Sequence, residues 1–181
     1  IENQIETLKD REGTLRMRGE SKLNFQFSNP ESGFDRSKVK GCVAKLVTLK
    51  DKAHAAALEV AAGGKLYQVV VDTAETSKKL LKNGKLRTRV TIVPLDKVGG
   101  DRQCINPATL DRARRIGEKN GANVDAALSL VEFERDMLPA MQYAFGNALV
   151  CDTKVIDAKG TTLAEKVCFE LKTRTFSARV V

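Results

Sequence analysis

The sequence predicts an α+β fold of two pseudo-two-fold-related lobes, with small mixed sheets and flanking helices, preceded by a short coiled-coil arm. Two observations lead to this prediction. The first half runs through a helix, a glycine, a short β-branched strand ending in Asp-Thr, a further helix and a further strand. The second half repeats this order, and a Gly-Gly linker candidate separates the halves. A repeated order of elements indicates two lobes of related topology.

Composition bounds the function. The 181 residues suffice for two small lobes with a real core. The formal net charge of +8 favours a polyanionic partner such as nucleic acid, although many soluble domains carry a basic excess without one. No apolar run has the length of a membrane span, so no membrane contact is expected. Four scattered cysteines and a single histidine exclude the common zinc spacings, and no metal or cofactor is expected.

The first segment, residues 1–23, is strongly charged and is predicted to be the end of a coiled coil. Ile1, Leu8 and Leu15 stand at seven-residue spacing, which keeps one apolar seam along a helix. Gly13 interrupts the pattern, and a frayed helical arm is the alternative.

Lobe I is assigned to residues 24–97. Asp51 is expected to cap an alanine-rich helix, and the Gly63-Gly64 pair to end it with positive φ. The next residues, 65–71, are predicted to form a buried strand, followed by Asp72 as the cap of a helix over residues 74–83. A strand near residues 87–94 completes the lobe.

A linker over residues 98–103 leads into lobe II, residues 104–181. Asn106 before Pro107 predicts a helix start, and the helix is expected to stop at residues 120–121. Alternating apolar residues predict a strand over 124–130, and a further helix is expected to end at Gly146. A strand over 148–151, a helix capped by Thr162 with Glu165, and a strand over 173–180 follow.

Catalytic chemistry is not indicated. The sequence contains no G-x-x-x-x-G-K-[ST] phosphate loop and no G-x-G-x-x-G motif. A small α/β enzyme would have to use His54 or a cysteine, and this is the weakest hypothesis; no catalytic residue is assigned.

Basic residues cluster within residues 78–89, where no acid intervenes. Contact with the phosphate backbone, without base readout, is the chemistry that such a cluster favours, and a solvated helix face is the alternative. A second, partly neutralised cluster lies between Arg112 and Lys119. The candidate DNA-binding residues are Lys78, Lys79, Lys82, Lys85, Arg87 and Arg89, with Arg16 and Arg18 of the arm.

Several stretches of this sequence resemble the hinge domain of SMC (structural maintenance of chromosomes) proteins. They are residues 39–81, VKGCVAKLVTLKDKAHAAALEVAAGGKLYQVVVDTAETSKKLL, and the shorter segments TIVPLDKV, NVDAALSLVEF, AMQYAFGNALVCDT and KTRTF. The likeness is strongest to the eukaryotic condensin SMC subunit conventionally numbered two. One feature departs from the family: the glycine-rich segment that follows the TRT strand in other hinges, and contributes to their dimer contact, is absent here.

The resemblance implies a non-enzymatic dimerisation module midway along a long coiled coil, with the ATPase heads outside this sequence. The implied partners are the hinge of the other condensin SMC subunit, or a second copy when the chain is alone, and DNA. The implied role is chromosome condensation and segregation in mitosis, in the nucleus and on chromosomes as well as in the cytoplasm. The alternative is a basic nucleic-acid-binding module whose dimerisation is incidental.

The glycines locate the expected dimer interface. A side chain at Gly63, Gly64 or Gly146 would block a turn or the approach of another backbone. The strands after these glycines, residues 65–71 and 147–151, are therefore expected to lie at or near sheet edges that are available to the partner. A bulky residue at Gly64 or Gly146 is expected to cost dimerisation more than folding. The candidate interface residues are Gly63, Gly64, Lys65, Leu66, Tyr67, Phe145, Gly146 and Asn147.

Overall fold

The computed structural model describes residues 23–100 and 103–152, together with residues 165, 167, 168 and 171 and the strand Arg174–Ser177. The predicted coiled-coil arm, with Arg16 and Arg18, lies outside the described residues, as does the capping residue Thr162.

In the described part of the chain, each lobe contributes four strands. Lobe I comprises β1 (Val39–Cys42), β2 (Thr48–Leu49), α1 (Ala55–Ala62), β3 (Val69–Val71), α2 (Ala74–Asn83) and β4 (Ile92–Pro94). Lobe II comprises α3 (Pro107–Lys119), β5 (Val124–Ala126), β6 (Val131–Glu132), α4 (Leu138–Phe145), β7 (Ala148–Cys151) and β8 (Arg174–Ser177).

The two three-stranded sheets have the same topology. In lobe I, β3 lies in the centre, antiparallel to β1 and parallel to β4. In lobe II, β7 lies in the centre, antiparallel to β5 and parallel to β8. The remaining strands, β2 and β6, pair with each other across the two lobes. The predicted α+β fold of two lobes with related topology is confirmed.

The largest core cluster draws on both lobes. Leu58 and Val70 of lobe I pack in one buried cluster with Met141, Phe145 and Val150 of lobe II. Burying side chains of this size stabilises the fold by about 1.5–3 kcal/mol each. The lobes therefore share this cluster, while each also has a smaller buried cluster of its own. The boundary placed at residues 98–103 stays a prediction.

Most predicted helix ends are confirmed. The Asp51 carboxylate accepts a hydrogen bond from the Ala53 N–H, ahead of the turn that opens α1. Asn106 caps α3 by accepting from the Ala108 N–H, with Pro107 in the first turn. The cap of α2 was predicted wrongly: Thr73, not Asp72, is the N-cap, and its hydroxyl accepts from the Thr76 N–H. Asp72 instead accepts from the Thr73 N–H next to it.

Three predicted strands are shorter in the structure, and one of them, the strand expected near residues 87–94, begins only at Ile92. The Gly63–Tyr67 stretch is a 3-10 turn, closed by a hydrogen bond from the Gln68 N–H to the Lys65 carbonyl, so β3 begins only at Val69. In lobe II, the Ala127–Leu130 stretch is also a 3-10 turn, and the Ser129 hydroxyl donates to the Ala126 carbonyl. Alternating apolar residues therefore do not produce a strand over this stretch. Hydrogen bonds within the turn satisfy its polar groups instead of pairing with a neighbouring strand.

The prediction that the strands after the glycines lie at sheet edges is wrong. Both β3 and β7 are central strands, and every residue of each is buried. A run of consecutive apolar residues is typical of a strand that is covered on both faces and paired on both sides. Among the described residues, the outer strands of the two sheets are β1, β4, β5 and β8.

Candidate functional site

The candidate site is the turn between α1 and β3, residues 63–67, which we call the glycine corner. Gly63 ends α1 with φ of +53°, and its N–H donates to the Glu59 carbonyl. A side chain would be strained in this conformation, so the positive φ predicted at Gly63 is confirmed. Gly64 does not have a positive φ, and a Cβ atom added there would meet no atom within 4 Å. Gly64 is therefore open to an approaching surface.

Large apolar side chains are exposed at and beside the glycine corner. Tyr67 is 42% exposed, and Val60, in the last turn of α1, is 61% exposed. Val60 was not among the predicted interface residues. Its position off the buried stripe of Leu58, Ala61 and Ala62 was the signal that could have identified it. An apolar surface of this kind beside an open glycine is suited to contact with another protein.

Lys65 connects the glycine corner to lobe II. Its Nζ atom donates to the Tyr143 carbonyl oxygen at 2.6 Å and stands 4.4 Å from the centroid of the Tyr143 ring. Beside this contact, Leu66 and Phe145 line an apolar cavity of about 240 Å³ between the lobes, together with Leu58 and other residues. Phe145 itself is 1% exposed and belongs to the core.

The equivalent position in lobe II is closed. Gly146 is buried, and a Cβ atom added there would lie 2.5 Å from the Gln103 carbonyl oxygen and in contact with the Gln142 carbonyl. Its own carbonyl accepts a hydrogen bond from the Ile105 N–H at 2.8 Å. A bulky residue at Gly146 is therefore expected to cost folding, since the chain itself occupies the space, and the prediction that it would cost dimerisation more stays a prediction. Asn147, beside it, is exposed.

The predicted linker packs along α4. The Gly100 N–H donates to the Gln142 side chain at 2.9 Å, and the Gly99 N–H donates to the Gln103 side chain. A Cβ atom on Gly99 would lie 2.6 Å from the Pro139 Cα atom. The described part of this segment therefore contacts the first turn and the middle of α4. The assignments of the eight interface residues to a partner contact stay predictions.

The basic residues of the predicted DNA-binding cluster differ in their surroundings. Lys79 pairs with Glu31 at 2.9 Å and with Glu75 at 3.5 Å. The hydrogen bond to Glu31, more than the charges around it, raises the pKa of Lys79. Lys78 and Lys82, on the same helix, are exposed. The others, also exposed, are Lys85, Arg87 and Arg89.

Two of the residues that an enzyme could use, the buried cysteines Cys42 and Cys151, are not activated as nucleophiles. Burial raises the pKa of the Cys42 thiol, and burial followed by the charge of Asp152 raises that of Cys151 to about 11. A nucleophilic cysteine requires a shift in the opposite direction. The Nδ1 atom of His54 is buried without a hydrogen-bond partner among the described residues.

Among the described residues, no three metal-ligating side chains come together. Nor does any helix in this part of the chain combine the length and the apolar character that crossing a bilayer requires.

Comparison with known proteins agrees with this geometry. The family described as SMC proteins Flexible Hinge Domain matches residues 36–155. The chain is 43% identical over 174 residues to structural maintenance of chromosomes protein 2-1 of Arabidopsis thaliana, and 45% identical over 130 residues to structural maintenance of chromosomes protein 2 of Homo sapiens. These matches cover 95% and 72% of the chain, but only 14% and 10% of the two relatives.

Solved hinge structures share the fold. The SMC hinge domain of Geobacillus stearothermophilus, crystallised as an asymmetric dimer, matches with a TM-score of 0.59 and 25% identity, over 80% of this chain and 54% of that one. A Pyrococcus furiosus Smc hinge domain with an extended coiled coil matches 97% of this chain and 55% of that one, with a TM-score of 0.57 and 24% identity. The chain belongs to the SMC flexible hinge domain family.

Proposed function

We propose that this chain is the dimerisation hinge of a condensin-type SMC protein, and that it pairs with the hinge of the other SMC subunit of the complex. It acts without catalysis, in chromosome condensation, in the nucleus and on chromosomes as well as in the cytoplasm. The observation that carries the proposal is the open glycine corner, where Gly64 and Tyr67 are exposed and Val60 is exposed in the adjoining turn of α1, on a fold shared by SMC hinges.

The relatives support this proposal. The Geobacillus stearothermophilus hinge was crystallised as a dimer, and the sequence relatives are SMC 2 proteins. A hinge that holds two long arms together needs an interface of obligate size, on the order of 2,000 Å² in total. Two separate contacts achieve this by avidity, since the second closes intramolecularly after the first. Where strands pair across the contact, the outer strands must supply the edges.

The test mixes this chain with the hinge of the partner SMC subunit and measures assembly by sedimentation and by fluorescence titration. Gly64→Glu is expected to weaken binding on the order of 100-fold, because it places an unpaired carboxylate in a desolvated contact. Gly64→Ala is the matched control, since a methyl group fits the open space.

Both variants are expected to melt like the parent chain. Unchanged nanomolar assembly of Gly64→Glu would move the interface away from the glycine corner. Absence of assembly by the parent chain itself would refute the proposed function.

A secondary, sequence-independent contact with DNA is the second part of the proposal, and the exposed basic residues from Lys78 to Arg89 support it. The logarithm of the affinity is expected to fall with the logarithm of salt concentration by roughly 0.7 to 0.9 for each phosphate contacted. Replacing Lys78 and Lys82 with glutamine should lower this slope equally for unrelated DNA sequences.

Lys79→Gln is the control for DNA binding, because Lys79 is already paired with Glu31 and Glu75. A slope that is unaffected by Lys78→Gln and Lys82→Gln would identify this face of α2 as a solvated surface and leave any DNA contact to other basic residues.

A further inference from the structure

The contact between Lys65 and Tyr143 joins two residues that are 78 positions apart and lie in different lobes. The ammonium group of Lys65 donates to the Tyr143 carbonyl oxygen at 2.6 Å and lies 4.4 Å from the centroid of the same residue's ring. Both groups are partly buried, which strengthens a hydrogen bond to a charged donor relative to one in water.

The acceptor of this hydrogen bond lies in the last turn of α4. Carbonyl groups in the last turn of a helix have no partner within the helix, and that end of the helix carries a partial negative charge. The Gly146 N–H donates a hydrogen bond to the Gln142 carbonyl, and the Lys65 ammonium group donates one to the next carbonyl, that of Tyr143. Lys65 therefore acts as a capping group that lobe I supplies to a helix of lobe II.

The same residue is built into the backbone of the glycine corner. The Lys65 carbonyl accepts from the Gln68 N–H at 3.1 Å, and the Gln68 carbonyl accepts from the Val43 N–H at 3.0 Å. Its neighbours Gly64 and Tyr67 are exposed, whereas Lys65 is turned toward α4. The side chain of Lys65 thus connects the exposed part of the corner to lobe II.

We propose that Lys65 is a positioning residue for hinge pairing. By capping α4 it holds the glycine corner in the orientation in which Gly64, Tyr67 and Val60 meet the partner hinge, and it does not itself contact the partner. This inference rests on the proposed dimerisation function, and it reassigns Lys65 from an interface contact to a support beneath the interface.

The experiment compares Lys65→Met, which keeps the aliphatic stem without the charge, with Lys65→Arg, which keeps a cationic donor able to stack on the Tyr143 ring. Lys78→Met, on the exposed face of α2, is the matched control for loss of one charge. Three properties are measured in the whole chain: the affinity for the partner hinge, the melting temperature, and hydrogen exchange at the Gln68 and Val43 amides.

Lys65→Met is expected to weaken binding roughly ten-fold, in line with the loss of one partly exposed hydrogen bond from a charged group. Exchange at the Gln68 amide should become faster, and Lys65→Arg should restore both properties to within about three-fold. Lys78→Met should change neither property.

Three results would overturn the proposal. Unchanged exchange in Lys65→Met would show that the contact does not hold the corner, and this readout applies to the isolated chain even if the proposed pairing fails. Weak binding by both Lys65→Met and Lys65→Arg, with normal exchange, would show that Lys65 contacts the partner directly. Fast exchange with unchanged binding would show that the orientation of the corner is irrelevant to pairing.

Discussion

The two lobes have the same sheet topology but different connections between the helix and the central strand. In lobe I, six residues, 63–68, separate α1 from β3, and five of them, Gly63–Tyr67, form a 3-10 turn in which Gly64 and Tyr67 are exposed. In lobe II, two residues, Gly146 and Asn147, separate α4 from β7. The core elements are repeated because both lobes bury the same kind of central strand. The segment that connects the helix to this strand lies outside the repeated core, so its conformation and role can differ between the lobes.

The difference teaches that a glycine at an equivalent place need not have an equivalent role. Gly63 is required by a positive φ, and Gly64 leaves open space at the surface. Gly146 has an ordinary helical φ but is enclosed by Gln103 and Gln142. Gly64 is therefore open at the surface, whereas Gly146 is enclosed by the chain itself.

The largest expected effect on stability comes from replacing each of the two glycines, Gly146 and Gly64, with alanine, which adds one methyl group. Gly146→Ala should lower the free energy of unfolding by about 3 kcal/mol, because the added atom meets backbone carbonyls that cannot change rotamer. Gly64→Ala should leave stability unchanged or raise it by up to about 1 kcal/mol. Chemical denaturation measures both, and equal stabilities for the two variants would contradict the distinction.

The second prediction concerns the central strand of lobe II at alkaline pH. The unfolded chain releases the Cys151 proton near pH 9.0, whereas the folded chain holds it to about pH 11. Unfolding therefore releases a proton in this window, and stability falls as pH rises, by roughly 2–3 kcal/mol at the upper end.

Cys151→Ala should remove this part of the alkaline slope, as measured by denaturation at a series of pH values. Cys42→Ala in lobe I should remove a smaller part, because Lys45 nearby favours the thiolate of Cys42. A slope that survives in Cys151→Ala would assign the alkaline loss to other groups.

The third prediction compares the aspartates that follow the two central strands. Asp152 accepts from both the backbone and the side chain of Asn123, at 3.0 and 2.6 Å, whereas Asp72 accepts from the adjacent Thr73 N–H. Asp152→Ala should therefore cost about 1–2 kcal/mol, and Asp72→Ala less than about 1 kcal/mol. The double variant with Asn123→Ala should show coupling, and additivity would refute the bridging role of Asp152.

The smallest effect is expected for the surface ion pairs. Lys79 pairs with Glu31 in lobe I and Arg114 with Asp125 in lobe II, both at 2.9 Å. Solvent screens both pairs, so replacing Lys79 or Arg114 with alanine should shift the melting temperature by no more than about 2 °C. A larger shift in melting temperature for either variant, measured by calorimetry, would show that its ion pair contributes substantially to stability.

The sequence alone determined the local features of this protein. The positive φ of Gly63, the caps at Asp51 and Asn106, and the helices α2 and α4 follow from residue types that act within one or two turns. The family could also be recognised, because its apolar and glycine positions are distributed along most of the chain.

Only the tertiary structure decided which strands are central, how the lobes share a core and what surrounds each glycine. Three contacts join residues that are far apart in the sequence. They are the strand pairing of β2 with β6, the enclosure of Gly146 by Gln103, and the capping of the Tyr143 carbonyl by Lys65. Local pattern carries no information on such contacts, since the same glycine or lysine fits an open surface and a closed one. Packing between the lobes decides between the two, because it determines which atoms lie opposite each side chain.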